Sequence, residues 1–315
     1  MPESPRPARP GQPPAGHRPS AREQRFRDQR WAGQALRPWW QSPWVLGGGA
    51  VVILLVVLVP VLILGAAGSR GGGGGPARPA PVSPAVLRAV TSLDPAVAAA
   101  VGTGGLSPEL TRVTGTLLLR GSDGRPLVVY AGAEYCPFCA AERWSLVVAL
   151  ARFGTVTGLT ETTSSSTDVY PDTRTFSFVH SSYSSPWVDF RPAELQDRSG
   201  QPLQSPSAQI DRLLQDVDRP PFTASPLGYP FLDIGGRFVL RETGFSPQVL
   251  QGLSWDHIAA DLGNPSSPVA QAIVGHANEL TAAICSVTDN RPGVCSSSTI
   301  HSIVTTLDAL PATSG

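Results

Sequence analysis

The chain has 315 residues and a formal net charge of zero, with 15% charged and 41% hydrophobic residues. No overall charge excess directs it toward nucleic acid or a strongly acidic partner. The balance hides an asymmetry: lysine is absent, and eight arginines from Arg6 to Arg37 stand among Pro, Gly and Gln with few apolar neighbours. Residues 1–43 therefore read as a disordered basic tail, on the cytoplasmic side by the argument that follows.

Val45 to Leu64 carries no charge over twenty residues, about 30 Å as a helix, which matches the hydrocarbon layer of a bilayer. A transmembrane helix is expected over 44–65, with Pro60 as a tolerated break in its bonding and Trp39, Trp40 and Trp44 at the headgroup level. The polar leader is far longer than a signal-peptide n-region and no clear A-x-A site follows, so an uncleaved anchor is the reading. Arg25, Arg27, Arg30 and Arg37 outweigh the sparser Arg70, Arg78 and Arg88, which keeps the N-terminus in the cytoplasm. The expected localisation is the cell membrane, single-pass, with the C-terminal region extracytoplasmic.

Residues 66–84 form a Gly- and Pro-rich linker. In "SPAVLRAVTSL" and "DPAVAAAV" a capping Ser or Asp precedes Pro at the first helical position, which predicts two short helices and a helical collar over 85–105. Residues 106–315 are expected to form one domain. Within it, the β-branched run Leu127 to Tyr130 after the turn-like "GSDGRP" predicts a buried strand. Beyond Cys136, Trp144, Val147, Val148 and Ala151 recur at helical spacing, and Gly154 marks an end.

Cys136 and Cys139 fall at this seam of strand and helix. Pro137 suits the first helical turn, so Cys136 should sit at the helix N-terminus, where unpaired N–H groups favour a thiolate. Cys139 lies three residues on, on the same face, at a spacing compatible with a disulfide. A redox pair is the leading reading, with Cys136 attacking and Cys139 resolving. A structural disulfide and half of a zinc site are the alternatives, the latter weakened because no second C-x-x-C or paired His appears.

The segment "YAGAEYCPFC" resembles the active-site turn of the thioredoxin-like superfamily, in which a strand runs into a C-x-x-C turn that opens a helix. "SPLGYPFLDIGGRFVLRE", Ser225 to Glu242, resembles that superfamily's later part, where a cis-proline precedes a β-hairpin; Phe231–Ile234 and Arg237–Leu240 would be its strands, joined by Gly235-Gly236. The resemblance implies an α/β fold with a central mixed sheet flanked by helices. It also implies a cis peptide at Tyr229–Pro230, with both residues positioning the substrate strand. The string "GAEYCPFCAAERW" is similar to a family of prokaryotic membrane-anchored proteins known as domain of unknown function 929. One departure matters: thioredoxins usually carry a buried acid six residues before the first cysteine, and Tyr130 stands there, which leaves Glu134 and Glu142 as candidates for proton transfer. Pro137-Phe138 is close to the glutaredoxin dipeptide, but glutathione chemistry belongs to the reducing cytosol, which the expected topology argues against.

Between the cysteine helix and the hairpin, an insertion over roughly 160–225 is expected to extend the fold or offer a partner surface, with strands in "TFSFVHSSY" and "SPWVDFR" and an amphipathic helix in "SAQIDRLLQDVD" capped by Ser207. His180, His257, His276 and His301 lack ligand spacing, so no metal is expected. Cys285 follows a helical pattern, and Asp-Asn-Arg-Pro-Gly turns the chain toward Cys295, which predicts a structural disulfide, with an electron-relay pair as the alternative.

These readings converge on a membrane-tethered thiol-disulfide oxidoreductase with no cofactor. Its expected partners are exported proteins with thiols or disulfides and a membrane redox protein, without nucleic acid. A non-enzymatic binding module of the cell envelope with structural disulfides is the alternative, and copper delivery is a third, weaker reading because no histidine is placed near the cysteines by sequence.

Overall fold

The computed structural model describes residues 79–115 and 118–314; the expected tail, the span over 44–65 and the linker as far as residue 78 lie outside the described residues. Among the described residues no single helix is long and apolar enough to cross a membrane. They belong to one compact unit, Pro76–Gly315.

The chain begins with α1 (Pro84–Thr91) and α2 (Pro95–Val101), each started by Pro behind a capping side chain: Ser83 accepts from Val86 N–H and Asp94 from Ala96 N–H. These two helices are the expected collar, and they are part of the domain's own core. Val86 and Val90 are buried, α1 lies against α5 (Trp255–Asp261), and α2 lies against α6 (Pro268–Val287).

A six-stranded mixed sheet organises the rest. Its strands are β1 (Leu110–Thr114), β2 (Leu127–Ala133), β7 (Asp189–Gln196), β8 (Phe231–Ile234), β9 (Phe238–Leu240) and β10 (Ala312–Ser314), in the spatial order β10-β1-β9-β8-β2-β7. β2 runs parallel to β7 and antiparallel to β8, with Gly132 opposite Glu194 and Tyr130 opposite Leu232. β8 and β9 form the expected hairpin. Gly235 and Gly236 both take positive φ at its tip, and the Asp233 carboxylate accepts the Gly236 N–H at 2.6 Å. β1 pairs antiparallel with β9 and parallel with β10, Arg112 facing Ala312.

Side chains alternate across the pleat, so the two faces build separate cores. Val129, Ala131, Phe231 and Val239 pack under α4 (Ala208–Asp216), whose Ile210 and Leu214 are buried and whose cap is Ser207. On the other face Tyr130, Leu232, Ile234 and Phe238 meet a thick helical layer of α3 (Pro137–Leu150), α6 and α7 (Ser298–Asp308). α3 is buried along almost its whole length, and it is apolar around most of its circumference, as expected of a central helix.

The insertion folds back over α3. β3 (Thr155–Thr157), just before it, pairs with β6 (Ser182–Ser184), and β4 (Thr160–Thr163) pairs with β5 (Arg174–Ser177); the stretch expected as an insertion also supplies β7 of the central sheet and α4. The Thr175 hydroxyl donates to Ala140 O and the Trp144 indole N–H to Arg174 O, each at 2.8 Å, pinning β5 to the cysteine helix.

Candidate functional site

Cys136 is the N-cap of α3. Its backbone is extended, Pro137 follows at the first helical position, and its Sγ accepts the Cys139 N–H at 3.4 Å, taking one of the donors a helix start leaves unpaired. The thiol in turn donates to Tyr229 O at 3.8 Å, so the loop before β8 meets the sulfur directly. The Tyr229–Pro230 peptide is cis, and Pro230 is buried. Cys136 and Cys139 are both free thiols; Cys136 keeps 7% exposure and Cys139 none.

The two sulfurs are electrostatically unequal. Burial opposes charge at Cys136, but hydrogen bonds from the Cys139 thiol and N–H, with the Arg143 cation, outweigh it against the opposing Asp168, so the thiol is held below the ordinary cysteine range. Cys139 is pushed well above that range, first by burial and then by its hydrogen bond to Cys136 and that sulfur's charge. One cysteine is thus prepared to be an anion while its neighbour keeps its proton.

Tyr135, Phe138 and Tyr229 form a half-buried aromatic rim around the pair. The loop between β4 and β5 closes another side: Ser165 N–H donates to Tyr135 O at 2.8 Å, and Tyr170 meets Phe138 edge to face, with 6.1 Å between centroids. Beneath the rim lies a buried ion pair. Arg143 reaches Glu194 through Nε to Oε1 at 2.9 Å and Nη2 to Oε2 at 2.6 Å, and Nη2 also donates to Ala133 O at 3.0 Å.

The proton-transfer candidates differ in their surroundings. Glu142 is fully buried, but its carboxylate is 3.0 Å from His276 Nε2 on α6 and accepts Gly244 N–H at 3.4 Å. His276 also contacts Glu279 through Nδ1 at 2.9 Å; burial works against its charge, and the two carboxylates overcome this and raise its pKa to about 10. Glu134 is half-buried at the end of β2, its N–H given to Gln196 O. Cys285 and Cys295 are joined by a disulfide with Cα atoms 5.6 Å apart, closing the turn between α6 and α7.

Sequence reasoning passed over Arg143, Glu194, Asp168 and Tyr170. Arg143 had a signal, since it stands four residues after Cys139 and so on the same helix face. Glu194 had none: only the register that sets it opposite Gly132 brings it here. Among the described residues no group of three or more His, Cys, Asp or Glu is placed to hold a metal ion.

Fold and site together define an α/β domain in which a C-x-x-C pair opens the helix that follows a central strand of a mixed sheet. Residues 120–223 match the family model described as Domain of unknown function (DUF929), so the similarity of "GAEYCPFCAAERW" to that family is borne out over this segment. The match takes in Cys136, Cys139, Arg143 and Glu194 and ends before the β8–β9 hairpin and the second cysteine pair. No curated protein and no solved structure matches the chain.

Proposed function

We propose that this protein is a membrane-tethered thiol-disulfide oxidoreductase of thioredoxin-like fold that acts on exported proteins. The observation that carries the reading is the unequal pair at the start of α3: Cys136 at the N-cap with a stabilised anion and residual exposure, Cys139 buried beside it and holding its proton. That asymmetry is what exchange through a mixed disulfide requires, since one sulfur meets the substrate and the other completes the reaction from inside. The order β7-β2-β8-β9, with the cysteine helix after β2 and a proline-led hairpin after the insertion, supports the thioredoxin-like assignment. Tyr229, whose carbonyl faces Cys136, is the backbone that would align a substrate chain. The Arg-rich leader and the apolar run at 45–64 support the tether and its orientation.

The test is trapping in cells. Cys139→Ser should accumulate mixed disulfides between Cys136 and exported proteins, and Cys136→Ser should not; an absence of adducts from both variants would refute the assignment and favour a non-enzymatic binding module. Reduced protein should also alkylate selectively at Cys136 at mildly acidic pH.

A further inference from the structure

We propose that Arg143, braced by Glu194, is a positioning residue that stabilises the sulfur anions of the Cys136–Cys139 pair and thereby governs the step in which Cys139 releases the substrate. This rests on the oxidoreductase reading above. Arg143 springs from α3 one turn below Cys139, and its guanidinium ends at Ala133 O, three residues before Cys136. A fork to Glu194 on β7 and the bond to Ala133 O fix it at the end of β2, and Ala133 packs in one small cluster with Cys136 and Cys139. The arrangement differs from a plain weld between helix and sheet, in which a buried ion pair is stable when every remaining donor is bonded. Here Arg143 Nη1 is buried with no hydrogen-bond partner among the described residues, and so is the Tyr130 hydroxyl, whose ring centroid lies 5.8 Å from the guanidinium carbon.

The guanidinium and the Tyr130 ring are neighbours. A Cβ on Gly132 would stand 2.2 Å from the Tyr130 hydroxyl oxygen, so the absence of a side chain at Gly132 is what lets that hydroxyl lie at the end of β2, opposite Glu194. Orphaned donors in a buried site call for an explanation, and an anion that exists only during the reaction supplies one. When substrate is joined to Cys136, Cys139 must lose its proton in a site with no water-like screening. Its sulfur anion attacks Cys136 Sγ, the Cys136–substrate S–S bond breaks and the Cys136–Cys139 bond forms. The substrate sulfur leaves with the electron pair and takes up the proton that Cys139 gave, so the step consumes no outside oxidant or reductant. The Arg143 cation lowers the cost of the transient anion, and Glu194 keeps the resting pair neutral. The other ionisable groups around the sulfurs are Asp168 on the β4–β5 loop, Tyr130 on β2, and Tyr135 and Tyr229 on the rim.

Two readouts on the full chain test this: thiolate absorbance of the reduced protein against pH, and single-turnover release of thiol from a short cysteine peptide joined to Cys136. The double variant Arg143→Met with Glu194→Met removes the charges together and leaves neither partner orphaned. It should raise the Cys136 midpoint by about one pH unit, tenfold less thiolate at fixed pH, and slow peptide release about tenfold. Glu194→Gln, close to isosteric, should shift the midpoint in the opposite direction because the cation loses its counter-charge, and Arg143→Lys should lie between wild type and the double variant. A merely structural pair would not give shifts of opposite sign. An unmoved midpoint and release rate in the double variant, or shifts of the same sign from the double variant and Glu194→Gln, would overturn the proposal. If the double variant does not fold, the sign of the Glu194→Gln shift decides alone. Wild-type protein that titrates as expected but never exchanges with the peptide would instead overturn the oxidoreductase reading.

Discussion

The molecule holds two cysteine pairs that differ in almost every respect but composition. Cys285 and Cys295 are ten residues apart, bonded, and sunk in the main core where the turn after α6 is closed. Cys136 and Cys139 are three apart, unbonded, and lie in a small separate cluster whose neighbours are aromatic rings, an arginine and a carbonyl. The contrast teaches that a sulfur's chemistry comes from its surroundings: the first pair is closed as a disulfide within the apolar core, while a helix start and a buried cation make the second unequal.

Removing cysteines from each pair in turn is the strongest way to break this comparison. Cys136→Ser should abolish thiol exchange with a disulfide peptide while leaving the urea midpoint near that of wild type; residual exchange would show that the second pair also reacts. Next in size, Cys285→Ala with Cys295→Ala should lower stability by about 3 kcal/mol in urea unfolding, with the Cys136 thiolate titration unmoved. A shifted titration would mean that the pairs communicate.

A smaller effect sharpens the comparison by separating charge that serves the sulfurs from charge that serves the fold. Glu142→Gln should cost about 2 kcal/mol at pH 6 by weakening a charge-assisted bond to buried His276, and should leave the alkylation profile of Cys136 unchanged. The pH dependence follows in sign. His276 is raised to about 10 by Glu142 and Glu279, above its unfolded value near 6.5, so its contribution is fully present below about pH 6.5 and is lost as pH rises through 10. The variant's deficit should therefore shrink in alkaline urea titrations. Smallest of all, Ser207→Ala removes the cap of α4 on the far face of the sheet and should cost about 1 kcal/mol with exchange untouched.

Local chemistry was legible in the sequence where it acts through neighbours in the chain. The strand from Leu127, Pro137 behind an N-cap cysteine, the Gly235-Gly236 hairpin and the Ser207 cap each announce themselves within a few residues, and each is found where the spacing places it. What could not be read was set by register. Glu194 enters the site only because β7 pairs in parallel with β2 across sixty intervening residues. Glu142 stands next to Arg143, yet successive helix positions point about 100° apart, so one carboxylate meets α6 while the neighbouring guanidinium meets the sheet. Spacing alone put both near the cysteines and could not say which one turns toward them.

The pairing of β1 with β10 has a consequence in time. Arg112 meets Ala312 in a strand pair whose members are about two hundred residues apart, so that edge of the sheet stays open until almost the whole domain has been made. Contacts of such sequence separation form late and slowly, because a long loop must be closed before they contribute anything. The β2–β8–β9 centre and the cysteine helix can assemble first, and during that interval β1 presents a bare edge to any neighbouring chain. The few residues of β10 thus serve as the closing seam: they cover the β1 edge and leave only their own three-residue strand at that side of the sheet.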